Sequence, residues 1–198
     1  MKLAHIADLH VRGLTCHDEM RTIVEAFCSS AKNDKVDHVV IAGDIWHSKC
    51  SGLTPEAVDF MTWMFREFAK VARVHVTLGN HDGVLTNMSR QDAISPIIAA
   101  INDPNITLYK NSGVFQIEPG VNLCVYSLFD REGWPAVAIV PGEYNIAVYH
   151  GSVGGAVSED GWLLKSDVTV QWFEDKGFDI VLLGDIHRQQ YLGYRDYK

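Results

Sequence analysis

The sequence lacks a long hydrophobic run, a cysteine framework and an excess of positive charge, and each absence excludes a class of protein. No stretch approaches the about 18 apolar residues of a membrane helix, and residues 1–7 are too short and too interrupted for a signal peptide. The four cysteines are scattered and include no C-x-x-C pair: Cys16, Cys28, Cys50 and Cys124. Free thiols in a reducing cytoplasm fit this pattern better than disulfides or a zinc knuckle. We therefore expect a cytoplasmic protein without a membrane partner.

The 198 residues carry a formal net charge of −8, and 47% of them are hydrophobic and 21% charged. This composition is typical of a globular protein and excludes a disordered or collagen-like chain. The length fits one compact domain over residues 1–198. The charge does not predict a basic surface, so nucleic-acid binding has to be argued against this acidic balance.

Short β-rich runs alternate with helical stretches along the chain. The hydrophobic pattern and the flanking turn residues predict five strands: Lys2–Ala7, His38–Ala42, Val74–Leu78, Ile146–Tyr149 and Ile180–Leu183. Helices are predicted over residues 17–31, from Pro55 after the capping Thr54, and from Ser89 with Asp92 at the third helical position. The alternation predicts an α/β fold with parallel strands, and the short runs between residues 106 and 128 predict an antiparallel portion.

The helix that begins at Pro55 has an unusually wide apolar face. Its apolar side chains cover about 160° of the helix, whereas a surface helix needs only about 100°. They are Val58, Phe60, Met61, Met64, Phe65, Phe68 and Val71. Two interpretations are open: the helix is inserted deeply into the core of its own chain, or part of this face packs on another subunit.

Every predicted strand ends in residues that can bind a metal ion. The five strand ends carry Asp8-Leu9-His10, Gly43-Asp44, Gly79-Asn80-His81-Asp82, His150-Gly151-Ser152 and Gly184-Asp185-Ile186-His187. In parallel α/β sheets, ligands bind beyond the carboxyl ends of the strands, so these side chains should meet at one rim. Each piece alone is commonplace, since an aspartate after a glycine is a routine turn. The five together predict a metal site.

These motifs resemble the calcineurin-like metallophosphoesterases, whose signature is D-x-H, G-D-x-x, G-N-H-D/E, a single histidine and G-H-x-H. Within this superfamily, the blocks at residues 3–10, 41–47 and 79–82 are most similar to the double-strand-break repair nucleases typified by SbcD. The resemblance runs from Met1 to about Leu192. It implies an α/β, metallophosphoesterase-type β-sandwich core flanked by helices.

The resemblance also implies two adjacent divalent metal ions. It assigns the first ion to Asp8, His10, Asp44 and His187, and the second to Asp44, Asn80, His150 and Asp185. Two such ions that share one carboxylate clamp a phosphate and activate a water molecule. The mixed oxygen and imidazole ligands suit manganese, iron or zinc better than calcium. The nuclease branch implies manganese, with magnesium as the alternative.

Further residues gain roles from the same resemblance. His81 matches the family's catalytic histidine, which stabilises the phosphorane or protonates the leaving alkoxide, and Asp82 is expected to hold its ring by a hydrogen bond. His47 matches a histidine near the scissile phosphate, with a solvated loop residue as the alternative. Arg12 and Arg188 flank ligand motifs and either contact phosphate or are plain surface residues. The remaining histidines are expected to be structural: His5, His17, His38 and His75.

Two departures from the family pattern bear on these expectations. Asp185 stands where the last motif has its first histidine, and as a ligand it predicts a harder second site that favours manganese or magnesium over zinc. As a mere loop residue it would leave three ligands there. The family also continues past this motif with further strands, and its nucleases add a capping domain that is not present here. We therefore expect either a fragment or a minimal version, with basic DNA contacts beyond Lys198.

The leading hypothesis is a manganese-dependent DNA exonuclease or endonuclease that acts in DNA repair or recombination. The resemblance implies an SbcC-like coiled-coil ATPase as partner and a homodimer through the helices at residues 55–71 and 89–101. The alternatives are a small-substrate phosphodiesterase or phosphatase, and a non-catalytic scaffold with the same fold. The phosphatase signature G-D-x-x-D-R-G is not matched at residues 43–49, which argues against a phosphoprotein substrate.

Overall fold

The structure, a computed structural model, describes residues 1–48, 52–87 and 89–193, which form two four-stranded sheets and flanking helices. Its strands are β1 (Leu3–Ile6), β2 (His38–Ala42), β3 (Arg73–Thr77), β4 (Ile106–Tyr109), β5 (Gly113–Glu118), β6 (Val121–Tyr126), β7 (Tyr144–His150) and β8 (Ile180–Gly184). Its helices are α1 (His17–Asn33), α2 (Pro55–Ala69), α3 (Ser95–Ile101) and α4 (Val170–Lys176), with a 3₁₀ turn over Arg131–Ala136.

The two sheets pack face to face. The first sheet, in the order β1-β2-β3-β4, is parallel throughout, and the second, in the order β5-β6-β7-β8, is parallel except for the β5–β6 pair. Strand β2 shows why both faces are buried: Val39 and Ile41 pack under the helices, and Val40 and Ala42 pack against the second sheet. The α/β sandwich flanked by helices, expected from the sequence, is confirmed.

Helix α2 is buried in the core of its own chain. The hydroxyl of Thr54 accepts a hydrogen bond from the backbone N–H of Ala57 and caps the helix, and Pro55 follows as expected. The side chains that α2 buries are Ala57, Phe60, Met61, Met64, Phe65, Phe68 and Ala69. They belong to the same cluster as residues of α1, α3 and the first sheet. Most of the wide apolar face is therefore covered without a second subunit, and Val58 and Val71 are half-buried.

A chain of hydrogen bonds joins the two sheets in the interior. The ring of His38 lies 2.9 Å from that of His75 (Nδ1 to Nε2), and His75 Nδ1 lies 2.9 Å from the hydroxyl of Tyr109. His38 Nε2 lies 3.2 Å from a carboxylate oxygen of Glu118 on β5, which also accepts from Arg73. These contacts give His38 and His75 structural partners away from the carboxyl ends of the strands, where the candidate ligands lie.

The predicted elements match the structure closely in the first three strands, in α1 and in α2, and less well in α3. The predicted start of α3 at Ser89 is wrong, because the helix begins at Ser95. The carboxylate of Asp92 accepts hydrogen bonds from the backbone N–H groups of Ile94 and Ser95. Asp92 therefore lies in the turn before the helix, and Ser95-Pro96 is the true start.

Within the part of the chain that the structure describes, no helix is long and apolar enough to span a membrane. Cys16, Cys28 and Cys124 are free, and Cys50 and the last five residues lie outside the described ranges.

Candidate metal centre

The loops that follow β1, β2, β3, β7 and β8 meet at one end of the sandwich, where the two sheets adjoin. Hydrogen bonds cross from one sheet to the other there. The backbone N–H of Asp185, after β8, donates to Oδ1 of Asp8, after β1, over 2.9 Å. His150 Nδ1, at the end of β7, donates to the carbonyl of Ala42 over 2.7 Å. The sequence-predicted ligands of both sheets are thereby brought to one place.

Four of these candidate ligands have a strained backbone. Asp8, His10, Asp44 and Asp185 have φ values of 56°, 48°, 51° and 73°. Residues other than glycine rarely adopt this left-handed region, and such residues concentrate where the surrounding structure holds a functional geometry. The strain falls where each strand turns sharply to direct a carboxylate or an imidazole at the same point.

Two glycines permit this crowding. Gly43 has a φ of +84°, and a Cβ there would come within 2.7 Å of the amide nitrogen of Gly79. A Cβ on Gly79 would overlap with Oδ1 and N of Asp44. The glycine before each motif is therefore required by the close approach of the two loops.

The first group of candidate ligands is formed by Asp8, His10 and His187. One ligand atom from each lies within 4.8 Å of the others. Nε2 of His10 lies 3.2 Å from Nε2 of His187 and 3.7 Å from Oδ2 of Asp44. Burial lowers the pKa of His10 to about 4, although the Asp44 carboxylate acts in the other direction. The imidazole of His10 is therefore neutral at physiological pH, which is the form that binds metal.

The second group is formed by Asp44, Asn80, His150 and Asp185. Asn80 Nδ2 donates to Oδ1 of Asp185 over 2.8 Å, and His150 Nε2 lies 3.2 Å from Oδ1 of Asp44 and 3.9 Å from Oδ1 of Asp185. Burial acts to lower the pKa of His150, but the Asp44 carboxylate outweighs it and raises the pKa to about 9. Burial acts to raise the pKa of Asp44, but His150 and the backbone N–H of His81 hold it below its usual value.

Whether a cation fits this site can be judged from the buried polar atoms that have no hydrogen-bond partner. Among the described residues they include Nδ1 of His10, Oδ1 of Asn80 and Nε2 of His150. Because His150 Nδ1 donates to a carbonyl, the proton that its raised pKa implies lies on Nε2 and faces the carboxylate of Asp44, where a cation would take its place. Two acceptors at this distance repel unless a proton or a metal ion lies between them. The donor set of carboxylates, imidazoles and one amide oxygen therefore fits divalent cations.

His81 and His47 lie beside the first group. Ring centroids of His47, His81 and His187 lie 5.5, 4.8 and 5.1 Å from that of His10. His81 Nδ1 donates to the backbone carbonyl of His47 over 2.6 Å. The ring of His81 is thus oriented by the neighbouring loop, and its Nε2 carries no proton while the ring is neutral.

The expected hydrogen bond between Asp82 and the ring of His81 is wrong. Oδ1 of Asp82 accepts from the backbone N–H groups of Ile45 and Trp46, and Oδ2 accepts from that of Gly79. Burial raises the pKa of Asp82 to about 7, against the effect of these donors. These three donors are backbone groups of the loops after β2 and β3, so Asp82 holds the two ligand loops together, and the ring of His81 is oriented by the carbonyl of His47 instead.

The remaining predicted residues are at the surface, and two neighbours were missed by the sequence analysis. Arg12 and Arg188 are exposed, and neither forms an ion pair with a residue in the described ranges. Ser152 donates to Oδ2 of Asp185 over 3.0 Å, and Glu159 lies 3.6 Å from Nδ1 of His187. Ser152 could have been noticed in the His150-Gly151-Ser152 strand end, but no local pattern indicates Glu159.

The calcineurin-like phosphoesterase profile matches residues 1–189. The chain belongs to the calcineurin-like phosphoesterase family. Members of this family are metal-dependent phosphoester hydrolases, and candidate metal-binding groups of histidines and aspartates are present at the strand ends of this chain.

One curated protein and one solved structure are similar to this phosphoesterase over most of its length. It is 32% identical over 203 residues to an uncharacterized protein of Acanthamoeba polyphaga mimivirus, across 95% of this chain and 15% of that protein. Among solved structures it is similar to the nuclease MPE of Pseudomonas putida, with a TM-score of 0.44 and 16% identity, across 82% of this chain and 66% of that chain. The chain thus spans about a seventh of the first relative's length and just under two thirds of the second's.

Proposed function

We propose that this phosphoesterase is a manganese-dependent DNA nuclease of the SbcD-like branch, which hydrolyses phosphodiester bonds in repair or recombination. The observation that carries the proposal is the placement of His47 and His81 against His10 of the first ligand group. A DNA phosphodiester has an alkoxide leaving group, which is poor and needs a proton. A histidine of fixed orientation next to the phosphate supplies that proton.

The proposed role of each histidine follows from its contacts. His81 keeps Nδ1–H on the carbonyl of His47. When the ring takes up a second proton, Nε2 therefore carries it and can deliver it to the leaving alkoxide. His47 has an exposed side chain and lies within 6.1 Å of the His81 ring, between centroids, where it can contact the phosphate. Arg12 and Arg188, exposed on loops that carry ligands, are proposed to bind the backbone of the substrate.

The metal chemistry depends on the ligand groups already described. Asp8, His10, Asp44 and His187 would hold one cation, and Asp44, Asn80, His150 and Asp185 the other. A pair of divalent cations at such a site supplies Lewis-acid activation of the phosphate and of the attacking water. The carboxylate of Asp185 makes the second group harder, which favours manganese or magnesium over zinc.

The proposal extends to partners that the nuclease branch implies. The proposed partners are DNA, an SbcC-like coiled-coil ATPase and a second copy of the chain. The proposed location is the cytoplasm. The dimer would use α2 and the segment at residues 89–101. Since α2 buries its apolar face within its own chain, such a dimer has to use the flanks of these helices.

The test compares a good and a poor leaving group. The chain is titrated with manganese and given end-labelled single-stranded and duplex DNA, and in parallel bis-p-nitrophenyl phosphate, whose nitrophenolate needs no proton to leave. His81→Ser should reduce DNA cleavage about 10²- to 10⁴-fold and affect the nitrophenyl diester far less. Manganese affinity, measured by calorimetry, should be unchanged, and His5→Gln, an exposed histidine of β1, serves as the control.

The alternatives give different results. Cleavage of the nitrophenyl diester with intact DNA would point to a small-substrate phosphodiesterase. An equal loss on both substrates together with weaker manganese binding would make His81 a metal ligand, which its position within 4.8 Å of His10 and Asp44 permits. No hydrolysis of either substrate with manganese, magnesium or zinc would leave a non-catalytic scaffold.

A further inference from the structure

A small hairpin over residues 157–163, called the rim hairpin here, extends beside the metal centre. Val157 and Leu163 pair as an antiparallel bridge, and the backbone N–H of Ser158 donates to the carbonyl of Trp162 over 2.8 Å. The hydroxyl of Ser158 accepts from the N–H of Trp162, and Gly161, with a φ of +86°, closes the turn. The tip is thereby a defined turn held by its own hydrogen bonds.

Two contacts attach the rim hairpin to the loop that carries His187. The side-chain amide of Gln190 accepts from the backbone N–H of Val157 over 3.0 Å and donates to its carbonyl over 2.8 Å, as a neighbouring strand would. The carboxylate of Glu159 lies 3.6 Å from Nδ1 of His187. The N–H of Gly161 donates to the carbonyl of Ser158 over 3.0 Å, so Glu159 lies within the turn and Trp162 follows directly after it, hydrogen-bonded to Ser158.

Trp162 is exposed to an unusual degree for its size. Its side chain is 75% exposed, and the neighbouring Leu163 is 70% exposed. The ring makes no aromatic or cation–π contact with any residue that the structure describes. An exposed indole on an ordered hairpin beside a catalytic centre contributes nothing to the core, and it offers a flat π surface to a ligand.

The charge of the hairpin decides which part of a nucleic acid it can accept. Its tip carries Glu159 and Asp160, which disfavour phosphates. A duplex presents its phosphate backbone and covers the faces of its bases by stacking, so it fits this tip poorly. An unpaired base has a free face and carries no charge, and aromatic side chains stack on such bases with little regard to sequence.

We propose that Trp162 is a substrate-binding platform that stacks on an unpaired nucleobase next to the scissile phosphate and so makes the enzyme prefer single-stranded or frayed ends. This inference rests on the proposed nuclease function and adds the substrate class. It assigns the rim hairpin to the base and leaves the phosphate to the metal centre and its histidines.

The experiment measures binding separately from cleavage. Fluorescence anisotropy of a labelled, short phosphorothioate oligothymidylate is recorded with the manganese-loaded protein, and compared with an abasic oligonucleotide of the same backbone and with a blunt duplex. Trp162→Ala should weaken oligothymidylate binding about tenfold or more and leave abasic binding unchanged. Trp162→Phe should retain most of the affinity, and Leu163→Ala, which removes the adjacent exposed apolar side chain, is the matched control.

The outcomes separate this inference from the proposed function. Wild-type binding by Trp162→Ala, an equal loss in Leu163→Ala, an equal loss on the abasic strand, or no oligonucleotide binding by the wild type each overturns the platform. Cleavage of DNA by a protein whose binding is insensitive to Trp162 would leave the nuclease proposal standing alone. Binding that depends on Trp162 without any cleavage would support the platform and count against the nuclease.

Discussion

At the scale of single residues, the loops after β2 and β3 come into close contact at Gly79. The space where a side chain would begin is filled by the backbone nitrogen and Oδ1 of Asp44, and by Cε1 of His150 at 2.7 Å. Asp44 is itself buried and strained, with a φ of 51°. Neither neighbour is a flexible side-chain end, so the loops would have to separate to admit a methyl group.

Gly79→Ala is therefore expected to damage the centre through one methyl group. Overpacking of this kind costs about 1–3 kcal/mol of unfolding free energy, and displacement of Asp44 should also abolish tight manganese binding. Urea unfolding and calorimetry measure the two effects. Gly52→Ala is the control, because a Cβ there has no atom within 4 Å. Normal manganese affinity in Gly79→Ala would show that the loops are not as closely packed as described.

At the scale of elements, the strands of both sheets are linked by a one-directional chain of hydrogen bonds. With both rings neutral, the Tyr109 hydroxyl donates to His75 Nδ1, His75 Nε2–H donates to His38 Nδ1, and His38 Nε2–H donates to Glu118. Every donor then has an acceptor. A proton added to His38 Nδ1 would face the N–H of His75, so protonation conflicts with this arrangement.

The pair should make stability depend on pH. Burial lowers the pKa of His75 to about 4, with His38 and Arg73 acting in the same direction, and burial lowers the pKa of His38 against the effect of Glu118. The unfolded chain takes up a proton near pH 6.5 and the folded chain only near 4, so the stabilisation is complete above pH 6.5 and is lost as the pH falls toward 4. Asp37, on the loop before β2, also favours the charged form of His38.

Urea unfolding between pH 7.5 and 4 tests this in wild type and His75→Gln. The variant should be less stable at pH 7.5 but lose less stability on acidification, because one buried neutral imidazole is gone. His10, whose pKa is also lowered, contributes equally to both proteins. Identical pH slopes would contradict the assignment of this dependence to the His38–His75 pair.

For the whole molecule, the candidate ligands come from both sheets of the sandwich. Asp8, His10, Asp44 and Asn80 follow strands of the first sheet, and His150, Asp185 and His187 follow strands of the second. The carboxylates at this junction lie close together, and the buried atoms without partners add to the cost of the metal-free state. A cation held by both groups of ligands would tie the sheets to one another.

Manganese should therefore raise the melting temperature. At a free concentration 100 times the dissociation constant, linkage adds about 2.7 kcal/mol. For a chain of this size that corresponds to a rise of about 5–10 °C by differential scanning calorimetry. Asp44→Asn, which alters the carboxylate near both groups, should show little of this rise. An equal rise in Asp44→Asn would mean that manganese stabilises the protein elsewhere.

The α/β architecture and the candidate ligands could both be predicted from the order of residues along the chain. Both are local properties: strands and helices follow from the period of apolar residues, and each motif lies within a few residues of the end of its strand. The carboxyl ends of parallel strands must lie at one edge, so residues as distant in the chain as Asp8 and His187 could be grouped without knowledge of any contact.

The partner of each side chain could be identified only from the folded chain. Asp82 lies next to His81 in the chain, but its carboxylate serves the backbone of two loops and the His81 ring turns to His47. The apolar face of α2 could have met a second subunit, and it is covered by α1, α3 and the first sheet. The rim hairpin with Trp162 reaches the centre through Gln190 and Glu159. Such contacts depend on distances between residues far apart in sequence, which periodicity and motif spacing do not contain.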